Sequence, residues 1–152
     1  MASLILLVED EPNDAFFFEH CLRQAGIPNP LRVAKDGLEA LDYLRGHGRF
    51  ADRVKNPLPG LVVLDLKLPK ATGFEVLEQM RGDPGLRRLI VLVLTSSSSE
   101  RDIIKSYDLG ANAYLVKPSD SRQLAQMVQT LKDFWLTYNH PPPAGLTSGS
   151  DD

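Results

Sequence analysis

Four polar stations in this chain each follow a short apolar run. Glu9, Asp10 and Glu11 come after Leu4–Val8, Asp65 after Leu61–Leu64, Thr95 and Ser96 after Leu89–Leu94, and Lys117 after Ala113–Val116. If the runs are strands of one open parallel sheet, all four stations lie at carboxyl ends, where such sheets bind ligands. With strand order 2-1-3-4-5 the first and third strands are neighbours, and Glu9, Asp10 and Asp65 meet. Carboxylates held that close repel one another unless a cation or protons relieve them. Mg2+, which keeps several waters and takes few carboxylates, suits so sparse an oxygen set better than a calcium cage does. Asp65 is then a candidate nucleophile, since an aspartate can accept a phosphoryl group as an acyl phosphate. The charge on the transferred group calls for a metal, an ammonium and neutral donors around it. Lys117 offers the ammonium and Thr95 a hydroxyl.

The elements that must position these residues can be read from the pattern. Five apolar runs, Leu4–Val8, Leu31–Ala34, Leu61–Leu64, Leu89–Leu94 and Ala113–Val116, are bounded by turn residues or charge, and several lack in/out alternation. That is how strands buried on both faces read. Helix-period segments lie between and after them, at about Asn13–Ala25, Asp36–Arg45, Thr72–Arg81, Ser98–Leu109 and Ser119–Tyr138. The alternation predicts an α/β fold, a doubly wound five-stranded parallel sheet with five helices. Asn13 or Asp14 can cap the first helix after Pro12, Thr72 the third, and Ser119 or Asp120 the fifth, while Ser97-x-x-Glu100 reads as a capping box for the fourth. Gly46–Pro59 is long for a helix-to-strand connection and reads as an ordered excursion or a contact loop. Residues 139–152, with three consecutive prolines and then Gly, Ser and Asp, read as a disordered tail behind one domain at 1–138.

The segments LILLVEDEPND, VVLDLKLP with Gly73 eight residues past Asp65, LVLTS and YLVKP resemble the receiver domain of two-component response regulators over about residues 3–138. The resemblance implies the flavodoxin-like receiver fold, with Asp65 as phosphoacceptor. It implies that Glu9 and Asp10 hold Mg2+ directly or through water, with the main-chain carbonyl of Lys67 as a further ligand. Thr95 would hydrogen-bond the phosphoryl group, Lys117 would pair with it, and Tyr114 would be the aromatic rotamer switch. A cis Lys117–Pro118 bond is implied as well. Glu9 stands where an Asp is common. The long loop, SYDLGANAYLVKP and DFWLTYN make the chain look more narrowly like the single-domain regulators that accompany bacterial phytochromes. The implied partner is a sensor histidine kinase and the implied role a switch, not an enzyme, that assists its own Mg2+-dependent phosphorylation and dephosphorylation.

Composition excludes other classes. With 17 basic against 20 acidic residues and no long basic run, a nucleic-acid partner is not expected. The first apolar run reaches acids after five residues and lacks a basic flank, so neither a membrane span nor a secretory signal is expected, and the single cysteine, Cys21, fits the cytoplasm. An aspartyl phosphatase usually needs a second acid two residues after the nucleophile, where this chain has Lys67, and a flavin phosphate would be repelled by Glu9, Asp10 and Glu11. A purely structural module of the same fold would not need Asp65 and Lys117. Output is expected through a protein contact or a phosphate relay.

Two surfaces follow from helical phase. Phe16, Phe17 and Phe18 span about 200° of a helix, so one stripe cannot bury all three. With Cys21, Leu22 and Ala25 setting the buried side, Phe17 and Phe18 are expected inward and Phe16 outward, as an anchor for the kinase or packed under a neighbouring loop. In the last helix Phe134, Trp135 and Tyr138 continue the stripe of Leu124, Met127, Val128 and Leu131, with Leu136 off it. That helix outruns the strand beneath it, so the three rings are expected to overhang and form a homodimer contact, unless the 46–59 loop or the tail covers them.

Overall fold

The computed structural model describes residues 2–143. In chain order the elements are β1 (Ile5–Val8), α1 (Pro12–Gln24), β2 (Leu31–Ala34), α2 (Gly37–Arg45), a 3-10 turn (Gly48–Phe50), β3 (Leu61–Leu64) and α3 (Gly73–Gly82). β4 (Val91–Thr95), α4 (Glu100–Asp108), β5 (Ala113–Val116) and α5 (Ser121–Leu131) follow, and α5 runs on as a π-helical segment, Lys132–Tyr138. All strand pairs are parallel, in the order β2-β1-β3-β4-β5.

The apolar runs lack polar alternation because both faces of the sheet are covered. Leu6, Val8, Val62, Leu64, Val91 and Val93 point into one core with Val76, Leu77 and Met80 of α3 and Tyr43 and Leu44 of α2. The intervening Ile5, Leu7, Leu61, Val63, Leu92 and Leu94 face a second core with Phe18, Cys21 and Leu22 of α1 and Val128 and Leu131 of α5. The fourth strand starts two residues later than its apolar run and takes in Thr95, which fixes that side chain on the ladder.

Several local expectations are corrected. α1 is capped by Glu11, whose side chain accepts from the Asn13 amide at 3.2 Å, and not by Asn13 or Asp14. Pro12 occupies the first helical position, where its missing N–H is no loss. Ser97 and Glu100 form no capping box. The fourth helix begins later, with Ser99 as cap, and the Ser97 hydroxyl instead donates to Asp102 Oδ2 at 2.6 Å. Thr72 caps α3 in a full capping box with Glu75, and Asp120 caps α5. No peptide bond among the described residues is cis, so Lys117–Pro118 is trans, the form an X–Pro bond favours by about 0.5–1 kcal/mol.

The 46–59 loop is an ordered excursion. Its Phe50 packs edge-on to buried Tyr43, the Tyr43 hydroxyl donates to Pro57 O at 2.8 Å, and Arg53 closes the end of α2 by donating to the Tyr43 and Leu44 carbonyls. Phe50 and Leu58 join the core on the α2–α3 face, opposite the final helix, so the loop does not cover the terminal aromatic rings. Of the expected tail, residues 144–152 lie outside the described residues.

The last helix departs most from its expected face. Within Lys132–Tyr138 the Asn139 amide reaches back five residues to Phe134 O at 2.7 Å. A π turn takes more residues than an α turn, so the stripe drifts. Leu136, expected off the stripe, and Trp135, expected to overhang, both pack against the α1–α5 core, while Phe134 and Tyr138 remain exposed.

Candidate functional site

Each chemical group is placed by a strand end. The Glu9 amide continues the ladder onto Ala34 O and the Asp65 amide onto Val8 O, and the Lys117 amide donates to Thr95 O at 2.7 Å. These backbone bonds bring residues from four strands to one mouth. Glu9 and Asp65 are buried and Asp10 is exposed, and ligand oxygens of the three lie within 4.8 Å of one another. Gly73 makes the approach of α3 possible: a Cβ there would come 2.2 Å from Asp65 O and 2.7 Å from Leu66 Cα.

The Lys117 ammonium spends its three protons on carboxylates. It donates to Asp65 Oδ2 at 2.8 Å, to Glu9 Oε1 at 2.5 Å and to Asp14 Oδ2 at 3.0 Å. Burial alone would lower its pKa, but the hydrogen bonds to Asp65, Glu9 and Asp14 and the Asp65 charge outweigh burial and hold it above the ordinary lysine range. Burial also dominates at Glu9 and pushes its carboxyl up, against the pull of Lys117 and of the Glu11 amide. Three inner carboxylates and one ammonium leave excess negative charge among hard oxygen donors, a set that fits a divalent cation of the Mg2+ type.

Thr95 is fully buried, and its hydroxyl finds no partner among the described residues. A buried hydroxyl without an acceptor or donor is costly to the fold. Tyr114, the residue the resemblance makes the rotamer switch, stands half-buried, its hydroxyl donating to Ser97 O at 2.8 Å. Burial raises its pKa. That bond ties β5 to the loop between β4 and α4. Lys67 is exposed and shares with Asp10, Thr72, Phe74 and Asp102 a cleft of about 420 Å3 beside the mouth.

On the other flank a groove of about 390 Å3 runs between α1 and the start of α5, lined by Asp14, Phe17, Lys117, Pro118, Ser119 and Leu124 among others. Phe16 is 65% exposed, as expected, and stacks on His20. Phe17, expected inward, is 48% exposed. It lies one turn before Cys21, lines the groove and meets the Phe16 ring edge-on at 5.6 Å. Sequence reasoning took Asp14 for a cap and missed it as a partner of Lys117. The available signal was a carboxylate one turn beyond Asp10 in the first turn of the helix that leaves the mouth.

With this geometry in hand, residues 5–129 match the family model described as the response regulator receiver domain. The chain is 41% identical over 133 residues to the response regulator Rcp1 of Synechocystis sp., covering 88% of each chain. The Mn2+-bound structure of Rcp1 superposes with a TM-score of 0.85. The phosphorylated cyanobacterial phytochrome response regulator RcpA gives a TM-score of 0.88 at 38% identity, over 94% of this chain and 100% of that one. The bacteriophytochrome response regulator RtBRR is 43% identical with a TM-score of 0.74, over 95% of this chain and 87% of that one.

Proposed function

Because the chain belongs to the response regulator receiver domain family, we propose that Asp65 takes a phosphoryl group from a phosphohistidine of a sensor histidine kinase and that the resulting charge alters protein contacts. The observation that carries this reading is the clamp of Lys117 on Asp65 at an acidic mouth, with the orphaned Thr95 hydroxyl beneath it. Asp65 Oδ attacks phosphorus as the P–N bond to the donor imidazole breaks, and the imidazole leaves with the bonding pair. Lys117 neutralises charge on the transferred oxygens, and Thr95 supplies the hydrogen bond it cannot make otherwise. Glu9, Asp10, Asp65 and the Lys67 carbonyl would hold Mg2+, which when bound offsets the phosphoryl charge. The Mn2+-bound relative supports a divalent ion at this mouth.

Movement of Thr95 toward the phosphoryl group passes to α4 through the loop that Tyr114 holds at Ser97. The donor is a kinase of the phytochrome type, a reading supported by the relatives' names. It docks on exposed Phe16, beside the groove. Receiver domains dimerise, and here exposed Phe134 and Tyr138 form the homodimer contact, with Trp135 bracing the Phe134 ring edge-on from the core side. Among the described residues no helix is long and apolar enough to cross a membrane. A cytoplasmic setting fits a partner that draws its phosphoryl group from ATP.

The decisive experiment is Mg2+-dependent labelling by a phosphorylated kinase and by a small phosphodonor. Asp65→Asn abolishes both. Undiminished label on that variant overturns the assignment. Phe16→Ala is expected to slow transfer from the kinase about tenfold while sparing the small donor, and equal loss of both would mean that Phe16 serves the fold instead.

A further inference from the structure

Asp14 is the one carboxylate on Lys117 that neither the metal cluster nor the phosphoryl group claims. The oxygens able to gather round a cation belong to Glu9, Asp10 and Asp65, and Asp14 is not among them. Yet Asp14 Oδ2 sits 3.0 Å from Lys117 Nζ, close to the 2.8 Å of the Asp65 contact. It reaches there from the first turn of α1, a different element from any that carries the cluster, and it lines the groove through which the mouth opens on that flank.

An ammonium has three donors. In the structure they are shared among Asp65, Glu9 and Asp14. In the phosphorylated form Asp65 is an acyl phosphate and Glu9 faces a cation, so two of the three acceptors change character. Resting on the reading of Asp65 as phosphoacceptor, we propose that Asp14 is a positioning residue for phosphoryl transfer: it tethers Lys117 at the groove side of the mouth while the two inner carboxylates change partners.

Without that tether two things happen, and both slow the reaction. The ammonium closes onto Asp65 Oδ2 and Glu9, occupying lone pairs that the nucleophile and the cation need. It also loses the fixed anion that keeps it facing the incoming group. Asp14 is 47% exposed and Lys117 only 18%, so the pair is partly screened and the effect is moderate.

The test measures Asp65 phosphorylation by acetyl phosphate at saturating Mg2+ as a function of donor concentration. Asp14→Asn lowers the maximal rate about three- to fivefold, the equivalent of a partly exposed ion pair, and leaves the half-saturating donor concentration unchanged. Asp14→Glu restores part of the rate. In a Lys117→Gln background Asp14→Asn has no further effect, because its action passes through the ammonium. A 15N-lysine spectrum of the metal-free protein shows the Lys117 ammonium signal shifted by Asp14→Asn, a change that a role in α1 alone would not produce. Full wild-type rate in Asp14→Asn, or an equal drop with and without Lys117, overturns the proposal while the Asp65 reading stands. Absence of label on the wild type removes that reading, and this inference with it.

Discussion

The mouth of the sheet and the π-helical segment Lys132–Tyr138 are both built from residues at the ends of elements, but they are fixed by different forces. At the mouth, Glu9, Asp65, Thr95 and Lys117 come from four strands and meet because hydrogen-bonded ladders place each strand end relative to the next. In the final segment Phe134, Trp135 and Tyr138 are near neighbours in sequence and still part company, Trp135 into the core and the other two toward water. No ladder spans that segment. Its side chains go where the local turn sends them, and the turn there is a π turn. A site held by several strands tolerates wide sequence separation, whereas a face on one helix is only as definite as that helix's phase.

The sharpest way to break this contrast is to disturb the backbone at the mouth. Gly73→Ala forces a Cβ against the Asp65 carbonyl and is expected to destabilise the fold by about 2–3 kcal/mol and to slow phosphorylation. Gly82→Ala at the other end of the same helix, where a Cβ meets nothing within 4 Å, stays within about 1 kcal/mol of wild type. Denaturant melts of both variants check this, and equal losses would show that close packing at Asp65 does not govern the site.

A smaller effect is expected at the terminal rings. Phe134 is half exposed, so Phe134→Ala leaves monomer stability within about 0.5 kcal/mol and weakens the homodimer about tenfold or more. Sedimentation across a concentration series decides it. A wild-type monomer at tens of micromolar, or an unaltered variant dimer, removes the proposed contact.

The smallest effect sharpens the electrostatic side. Glu9 is raised by burial, so the folded chain keeps that proton to higher pH than the unfolded chain does. Its contribution to stability is full below the unfolded value and falls as pH rises through the raised one. Metal-free Glu9→Gln loses this decline, so its melting temperature falls less than that of wild type as pH rises through neutral. Mg2+ opposes this difference by binding wild type better. Parallel melting curves against pH would place Glu9 outside the buried pocket.

The same contrast explains what was legible in the sequence. Strand ends announce themselves as a polar residue after an apolar run, and Glu9, Asp65, Thr95 and Lys117 outline the mouth in the sequence itself. Exposed Phe16 was equally readable. Phe17 was not, because a 100° step places a residue on a face without saying how far the covering sheet extends. The π turn at Lys132–Tyr138 was hidden for a related reason. It coincides with Trp135 and Leu136 packing on one core, adjacent residues that a regular helix turns 100° apart. The Asp14–Lys117 bond joins residues 103 apart and depended on where the first turn of α1 would face.

The unpartnered hydroxyl of Thr95 bears on how such a chain would change over generations. Valine has the same shape and would relieve the fold of a buried polar group costing about 1–3 kcal/mol, so a lineage selected for stability alone gains by the exchange. On the proposed reading, threonine is worth keeping only while a phosphoryl oxygen arrives to meet it. In descendants whose kinase is lost, position 95 is where drift toward an apolar residue should register first, ahead of the charged positions whose partners still need them.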